Sequence, residues 1–247
     1  MADITMDRSG RSVVAACNAS SPFAQALLGE LAKAGMEIVL FGHASRSHEK
    51  KAKNVSTKSR RESNRQSAEE VAAEVKNLVS AHEPLDGFIY FLDEEPAISL
   101  ESLTDEEWAR CIVSMDWMFL YYQAVSRQMA AQRHGSMVGV GFAVHARGDG
   151  QMLTWTVAGE AMVGMSKCLA LELLKQNVRV NTVGYGYMEG VQYPQAALDA
   201  LNEYSQYLGI HRRGTAKDVA ASVRHLILDD TDYMTGQSVY VNGGLLI

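Results

Sequence analysis

The chain has 247 residues, 47% of them hydrophobic and 21% charged, with 4 prolines and a net charge of −6. That composition supports a sizeable core in one α/β domain, excludes a disordered chain, and argues against general affinity for nucleic acid or an anionic membrane. No apolar run approaches the roughly 18–20 residues that cross a bilayer. The first residues, MADITMDRSGRS, lack the apolar centre of a secretory signal, so a cytoplasmic protein is expected. Cys17, Cys111 and Cys168 lie far apart, without the close spacing of a metal site or redox pair, and no metal is expected.

Arg11–Ala16 is a short apolar run that reads as a buried strand. Phe23–Ala34 reads as a helix, with Phe23, Leu27, Leu28 and Leu31 on one side and Gly35 at its stop. Glu37–Phe41 completes a strand–helix–strand unit. Between Gly42 and Gln66 the character changes. Arg46, Lys50, Lys51, Lys53, Lys58, Arg60, Arg61 and Arg65 face only Glu49 and Glu62. Such a block reads first as a solvated loop, with an anion-binding arm for a phosphate-bearing ligand as the alternative.

Alternation then resumes with a helix over Ser67–Ser80 and a strand over Gly87–Leu92. Asp105–Ala131 is a long helix with Trp108, Ile112, Met115, Phe119 and Tyr122 at helical spacing. Met137–Val144 reads as a strand. Trp155–Leu174 reads as a second long helix, with Met162, Met165, Leu169 and Leu173 on one face. A strand over Val178–Val183, a helix over Asp218–Leu228 and a strand over Ser238–Val241 close the chain. There is no internal repeat and no domain-scale linker. The alternation implies a single doubly wound α/β domain over 1–247, with a parallel sheet covered on both faces.

Four segments carry a resemblance: LTDEEWARCIV at 103–113, MSKCLALELLKQNVRVNTVGYG at 165–186, AKDVAASVRHLILDD at 216–230 and YMTGQSVYVNGG at 233–244. Together they resemble the short-chain dehydrogenase/reductase family, with its Rossmann-like fold. The likeness extends over nearly the whole chain except 42–66, where the family's third strand is short or missing.

The resemblance implies a Thr-Gly-x-x-x-Gly-x-Gly loop after the first strand, whose glycines let backbone approach a dinucleotide pyrophosphate at a helix N-terminus. Counting back from Gly35 places Asn18, Pro22 and Ala24 at the three glycine positions. Proline offers no N–H and fixes φ, so no cofactor is expected on this chain. The family's ribose-binding acid is also replaced, since Gly42, His43, Ala44, Ser45 and Arg46 occupy its region. Arg46 reads as a solvated arginine, with an NADP 2′-phosphate contact as the alternative.

The family reduces carbonyls with a tyrosine acid, a lysine four residues later, a serine 13 residues earlier and an asparagine on the long helix. Aligned on Gly164–Leu173, the tyrosine position holds Trp155, the lysine position Gly159 and the serine position Phe142. The asparagine falls within Ser114–Asp116, and there is no Asn between 101 and 130. None of Phe142, Trp155 and Gly159 can serve as a general acid near neutral pH. The enoyl-reductase branch of the family places its lysine seven residues after the tyrosine, which here is Met162. Tyr185 or Tyr187 as a relocated acid would lack that lysine. Gly190 stands near the position of a cofactor-contacting threonine, and His145 with Asp149 reads as ordinary loop residues before it reads as a substitute acid–base pair.

What the resemblance leaves intact is the pair of long helices and the C-terminal strand and helix through which the family assembles tetramers. The expectation is therefore a catalytically inactive subunit. It would pair with an active paralogue, as a heterotetramer, in an NAD-dependent alcohol or 3-hydroxyacyl-CoA-type dehydrogenase whose NAD sits in that partner. A divergent stand-alone NAD(P)-dependent oxidoreductase and a ligand-sensing pseudoenzyme are the alternatives.

Overall fold

The computed structural model describes residues 13–17, 19, 21–41, 55–57, 67–82, 84–92, 98–146, 148, 150–191, 193, 198, 210, 212–228 and 231–245. The strands are β1 (Val13–Cys17), β2 (Glu37–Phe41), β3 (Val55–Thr57), β4 (Gly87–Phe91), β5 (Gly135–Phe142), β6 (Val178–Tyr185) and β7 (Ser238–Val241). The helices are α1 (Pro22–Lys33), α2 (Ala68–Ala81), α3 (Asp105–Gln132), α4 (Leu153–Glu172) and α5 (Ala216–Ile227). All strand pairs are parallel, in the order β3-β2-β1-β4-β5-β6-β7. The order reverses between β1 and β4, the switch point at whose carboxyl side such sheets hold ligands.

Alternation along the strands builds two cores. Ile89, Phe91, Val138, Val140 and Val183 pack with α1 and α5 on one face, while Phe88, Tyr90, Met137 and Val180 pack with α2, α3 and α4 on the other. Gly139 serves the second core. A Cβ there would stand 2.6 Å from both Met162 Sδ and Tyr122 Oη, so glycine lets α3 and α4 settle on β5. The Tyr122 hydroxyl is fully buried, and desolvation pushes its pKa up, with the Ser166 hydroxyl offsetting part of that rise.

Helix starts follow local chemistry. Ser67 with Glu70, and Thr104 with Glu107, form reciprocal capping boxes. At α5, Asp218 accepts from Thr215 N at 2.7 Å and from Arg212 Nη1 and Nη2 at 2.8 and 2.9 Å. The end of α5 is held from the sheet. Arg179 on β6 donates to the carbonyls of Leu226, Ile227 and Leu228, and Ser136 on β5 donates to Leu226 O. These are the carbonyls a helix terminus leaves without partners.

The third strand, expected to be short or missing, is short, three residues inside the segment read first as a loop; 42–54 and 58–66, with the basic residues and Arg46, lie outside the described residues. Two readings of the sequence need correction. The strand read over Met137–Val144 ends at Phe142 and gives way to a 3₁₀ turn over Ala143–Ala146. The apolar stripe of the first long helix lies largely outward: Trp108, Ile112 and Phe119 are exposed, and the buried face carries Cys111, Met118, Tyr121, Tyr122, Val125 and Met129.

Candidate functional site

The carboxyl ends of β1, β4, β5 and β6 bring together the start of α1, the turn after β5, the start of α4 and the segment after β6. At α1 the geometry is set by Ser21, Pro22 and Ala24. Ser21 is the N-cap, and its Oγ accepts from Ala24 N at 3.1 Å. Pro22, in the first turn, has no N–H. Of the first three amide positions of this helix, one has no donor and another is already bonded, which weakens the anion site that a helix N-terminus otherwise presents. Asn18, at the first glycine position, lies outside the described residues.

Phe142 and Trp155 are the last residue of β5 and the third of α4. They meet edge to face with ring centroids 5.4 Å apart, each almost wholly buried at 2% and 3% exposure. Around them, Tyr185, Tyr187 and Tyr193 stand 5.9, 5.6 and 5.3 Å from the Phe142 ring. Phe23, from the first turn of α1, lies 4.7 Å from Tyr185. Six aromatic rings thus fill the ground between the helix start and the strand ends. Tilted and edge-on pairs at these separations add to the burial energy of each ring. Tyr185 is paired in register with Phe142, so both tyrosines considered as relocated acids are parts of this packed cluster.

Gly159 is explained by His145. A Cβ at 159 would lie 2.6 Å from His145 Cβ and 2.8 Å from its Cγ, so the histidine occupies the room through which a side chain at 159 would leave the helix. The ring is buried, and its Nδ1 is 2.9 Å from Glu160 Oε1 on the next residue of α4. The partner is therefore Glu160; Asp149 lies outside the described residues. Tyr240 on β7 stacks obliquely on His145 at 5.9 Å, and its hydroxyl pKa is raised by burial and by the charge of Glu160. On α3, Ser114 is buried and Met115 and Asp116 are partly so.

Sequence spacing identified Phe142, Trp155 and Gly159; the structure packs Phe142 against Trp155 and sets Gly159 against His145. It did not identify Tyr193, whose hydroxyl accepts from Met188 N at 3.0 Å and donates to Gly186 O at 3.2 Å. No periodicity signals that link, because it depends on a turn in the chain. The stacking of His145 on Gly159 was equally hidden.

Elsewhere a groove of about 440 Å³ lies between α3 and α4, lined by Phe119, Gln123, Arg127, Met165, Cys168 and Glu172 among others. Among the described residues, no group of three or more His, Cys, Asp and Glu is placed to hold a metal ion. Among them too, no helix is long and apolar enough to cross a membrane.

The chain's relatives share this frame. Residues 4–246 match the family described as Enoyl-(Acyl carrier protein) reductase. The chain is 31% identical over 147 residues to the 3-oxoacyl-[acyl-carrier-protein] reductase FabG of Escherichia coli, covering 59% of this chain and 60% of that one. It is 30% identical over 144 residues to nodulation protein G of Rhizobium meliloti, covering 58% and 59% respectively. It thus spans about three fifths of the length of these two curated relatives. The crystal structure of gox2181 superposes with a TM-score of 0.79 over 95% of both chains at 20% identity, a likeness of fold. The helix order, the 3-2-1-4-5-6-7 sheet and the match over 4–246 agree: this chain belongs to the short-chain dehydrogenase/reductase family.

Proposed function

We propose that this chain is a non-catalytic member of its family that assembles with an active paralogue. The observation that carries the reading is the edge-to-face pair of Phe142 and Trp155, buried where the family's serine and tyrosine would meet a substrate. Neither residue can donate a proton near neutral pH. The residues at α1 do not fit a dinucleotide held in the family manner, because Pro22 lacks a donor and Ser21 occupies the Ala24 amide. In this reading NAD is held by the partner, which supplies the hydride chemistry.

The exposed apolar stripe Trp108, Ile112 and Phe119, with the adjoining groove against α4, supports assembly through the two long helices. The relatives named for 3-oxoacyl thioester reduction support a partner working on a hydroxyl or ketone β to a thioester. The specific case we propose is the inactive subunit of the two-subunit (hydroxybenzyl)succinyl-CoA dehydrogenase of anaerobic toluene breakdown, as a heterotetramer.

Calorimetric titration of the purified chain with NADH and NADPH tests the reading. Absence of binding up to millimolar cofactor, with capture of an intact family member on co-expression, is the expected result. Micromolar binding by the isolated chain would return an active, divergent oxidoreductase to first place. Binding of another small molecule without turnover would favour a sensor.

A further inference from the structure

The segment after β6 is fastened on every side. Gly186 N donates to Val241 O at 3.0 Å, and a Cβ at Gly186 would stand 2.7 Å from Asn242 Cα, so the segment starts tight beneath the end of β7. Glu189 N donates to Gly214 O at 2.8 Å, and Gly214 N returns a bond to Tyr187 O at 2.9 Å. Met188 lies directly over Gly214, where no side chain would fit. Gly190, with φ at +83°, turns the chain, and Tyr193 comes back over it. The Tyr193 hydroxyl joins the Met188 amide to the Gly186 carbonyl, while its ring packs 4.8 Å from Tyr187 and 5.3 Å from Phe142.

We infer that 186–191 is a permanently fastened strap, with Tyr193 as its latch and the ring cluster in the place of a ligand. Segments that open readily make few buried apolar contacts and expose their backbone hydrogen bonds to solvent. Here the Gly186, Met188 and Glu189 amides all bond to the protein itself. Tyr187, Met188 and Val191 are buried beneath or within the strap. The strap lies against Phe142, so a molecule cannot reach the ends of β5 and β6 without displacing both the latch and the rings. This inference deepens the reading of an inactive subunit and rests on it. The chain holds one closed conformation whatever the cofactor concentration, so a partner meets an unchanging surface.

Hydrogen exchange of the full chain, with and without 1 mM NADH (roughly the top of physiological substrate ranges), decides the matter. The Met188 and Glu189 amides should be protected to a degree comparable with β5, and NADH should not alter them. Tyr193→Phe keeps the ring and removes both hydroxyl bonds. It should speed exchange at Met188 by about tenfold or more, the order set by losing a hydrogen bond or two, while β5 and β6 keep their rates. Fast exchange at Met188 in the unmodified chain would overturn the strap even if the variant failed to fold, as would an unchanged rate in Tyr193→Phe. Cofactor binding seen by calorimetry would sink the functional reading by itself; slow, latch-dependent exchange would still stand as a property of the segment.

Discussion

Two regions meet on β6 and treat polar groups in opposite ways. At its middle, Asn181 is fully buried, donates to Met234 O at 2.9 Å and accepts from Gln237 N at 3.0 Å. Beside it Thr182 donates to Ser238 Oγ at 2.8 Å, and Arg179 fastens the end of α5. Four residues on, Tyr185 enters the cluster with Phe142, Trp155 and Phe23, where the family keeps groups for chemistry. The difference lies in the partners. A polar group in the frame is answered by another protein group, which would be left unsatisfied by its loss. A group that faces only water or ligand has no protein partner, so an apolar side chain in its place orphans nothing and adds packing. The fold can therefore persist intact around an altered site.

If the ring cluster is true core, Trp155→Ala should cost about 3–5 kcal/mol in chemical denaturation, the range for emptying a large buried aromatic site. A loss below about 1 kcal/mol would mean the rings only line a loose pocket, and the contrast with the frame would fail. Asn181→Ala should cost about 2–3 kcal/mol by stranding the Gln237 amide and the Met234 carbonyl. A much smaller loss would show that β6 and the 234–237 turn hold together without it.

Gly159→Lys sharpens the comparison, since it restores one family residue to a site shaped against it. Overpacking on His145 should destabilise by about 1–3 kcal/mol. His145→Gly in the same chain should recover more than half of that, so the coupling in a double-mutant cycle should exceed about 1 kcal/mol, by as much as His145→Gly costs alone. Additive effects would separate the two positions.

The smallest effect belongs to the frame's edge. Hydrogen bonds from Arg212 first, and then those from Thr215, hold the Asp218 carboxyl well below the usual carboxylate range against an opposing desolvation. A depressed folded-state pKa gives stability that is fully present above the unfolded value, near ~4, and lost as pH falls through the folded value. Asp218→Asn should thus cost about 1 kcal/mol at neutral pH, and the gap to the unmodified chain should close progressively below about pH 4. A gap that persists undiminished in acid would assign the loss to packing instead.

How much was legible depended on whether a signal was local. Phe23, Leu27, Leu28 and Leu31 gave both the helix and its buried face, because the opposite side of α1 is polar. Trp108, Ile112 and Phe119 gave the helix but the outer face, since Cys111, Met118 and Tyr121 make the other side apolar too. The overrun of β5 has the same origin: Ala143, Val144 and His145 stay buried after the strand ends, so hydrophobicity runs on past the pairing. At the site, fixed spacings located Phe142, Trp155 and Gly159, but not what fills the space among them. Tyr193 and His145 act through approaches that only the folded chain creates.

The seat shared by His145 and Gly159 bears on reversibility. Placing a lysine at 159 one substitution at a time means either crowding it against the histidine or first removing the histidine and leaving a hollow under α4. Each order passes through a less stable intermediate. An exchange of bulk between two neighbouring positions thus works as a ratchet against a side chain at 159.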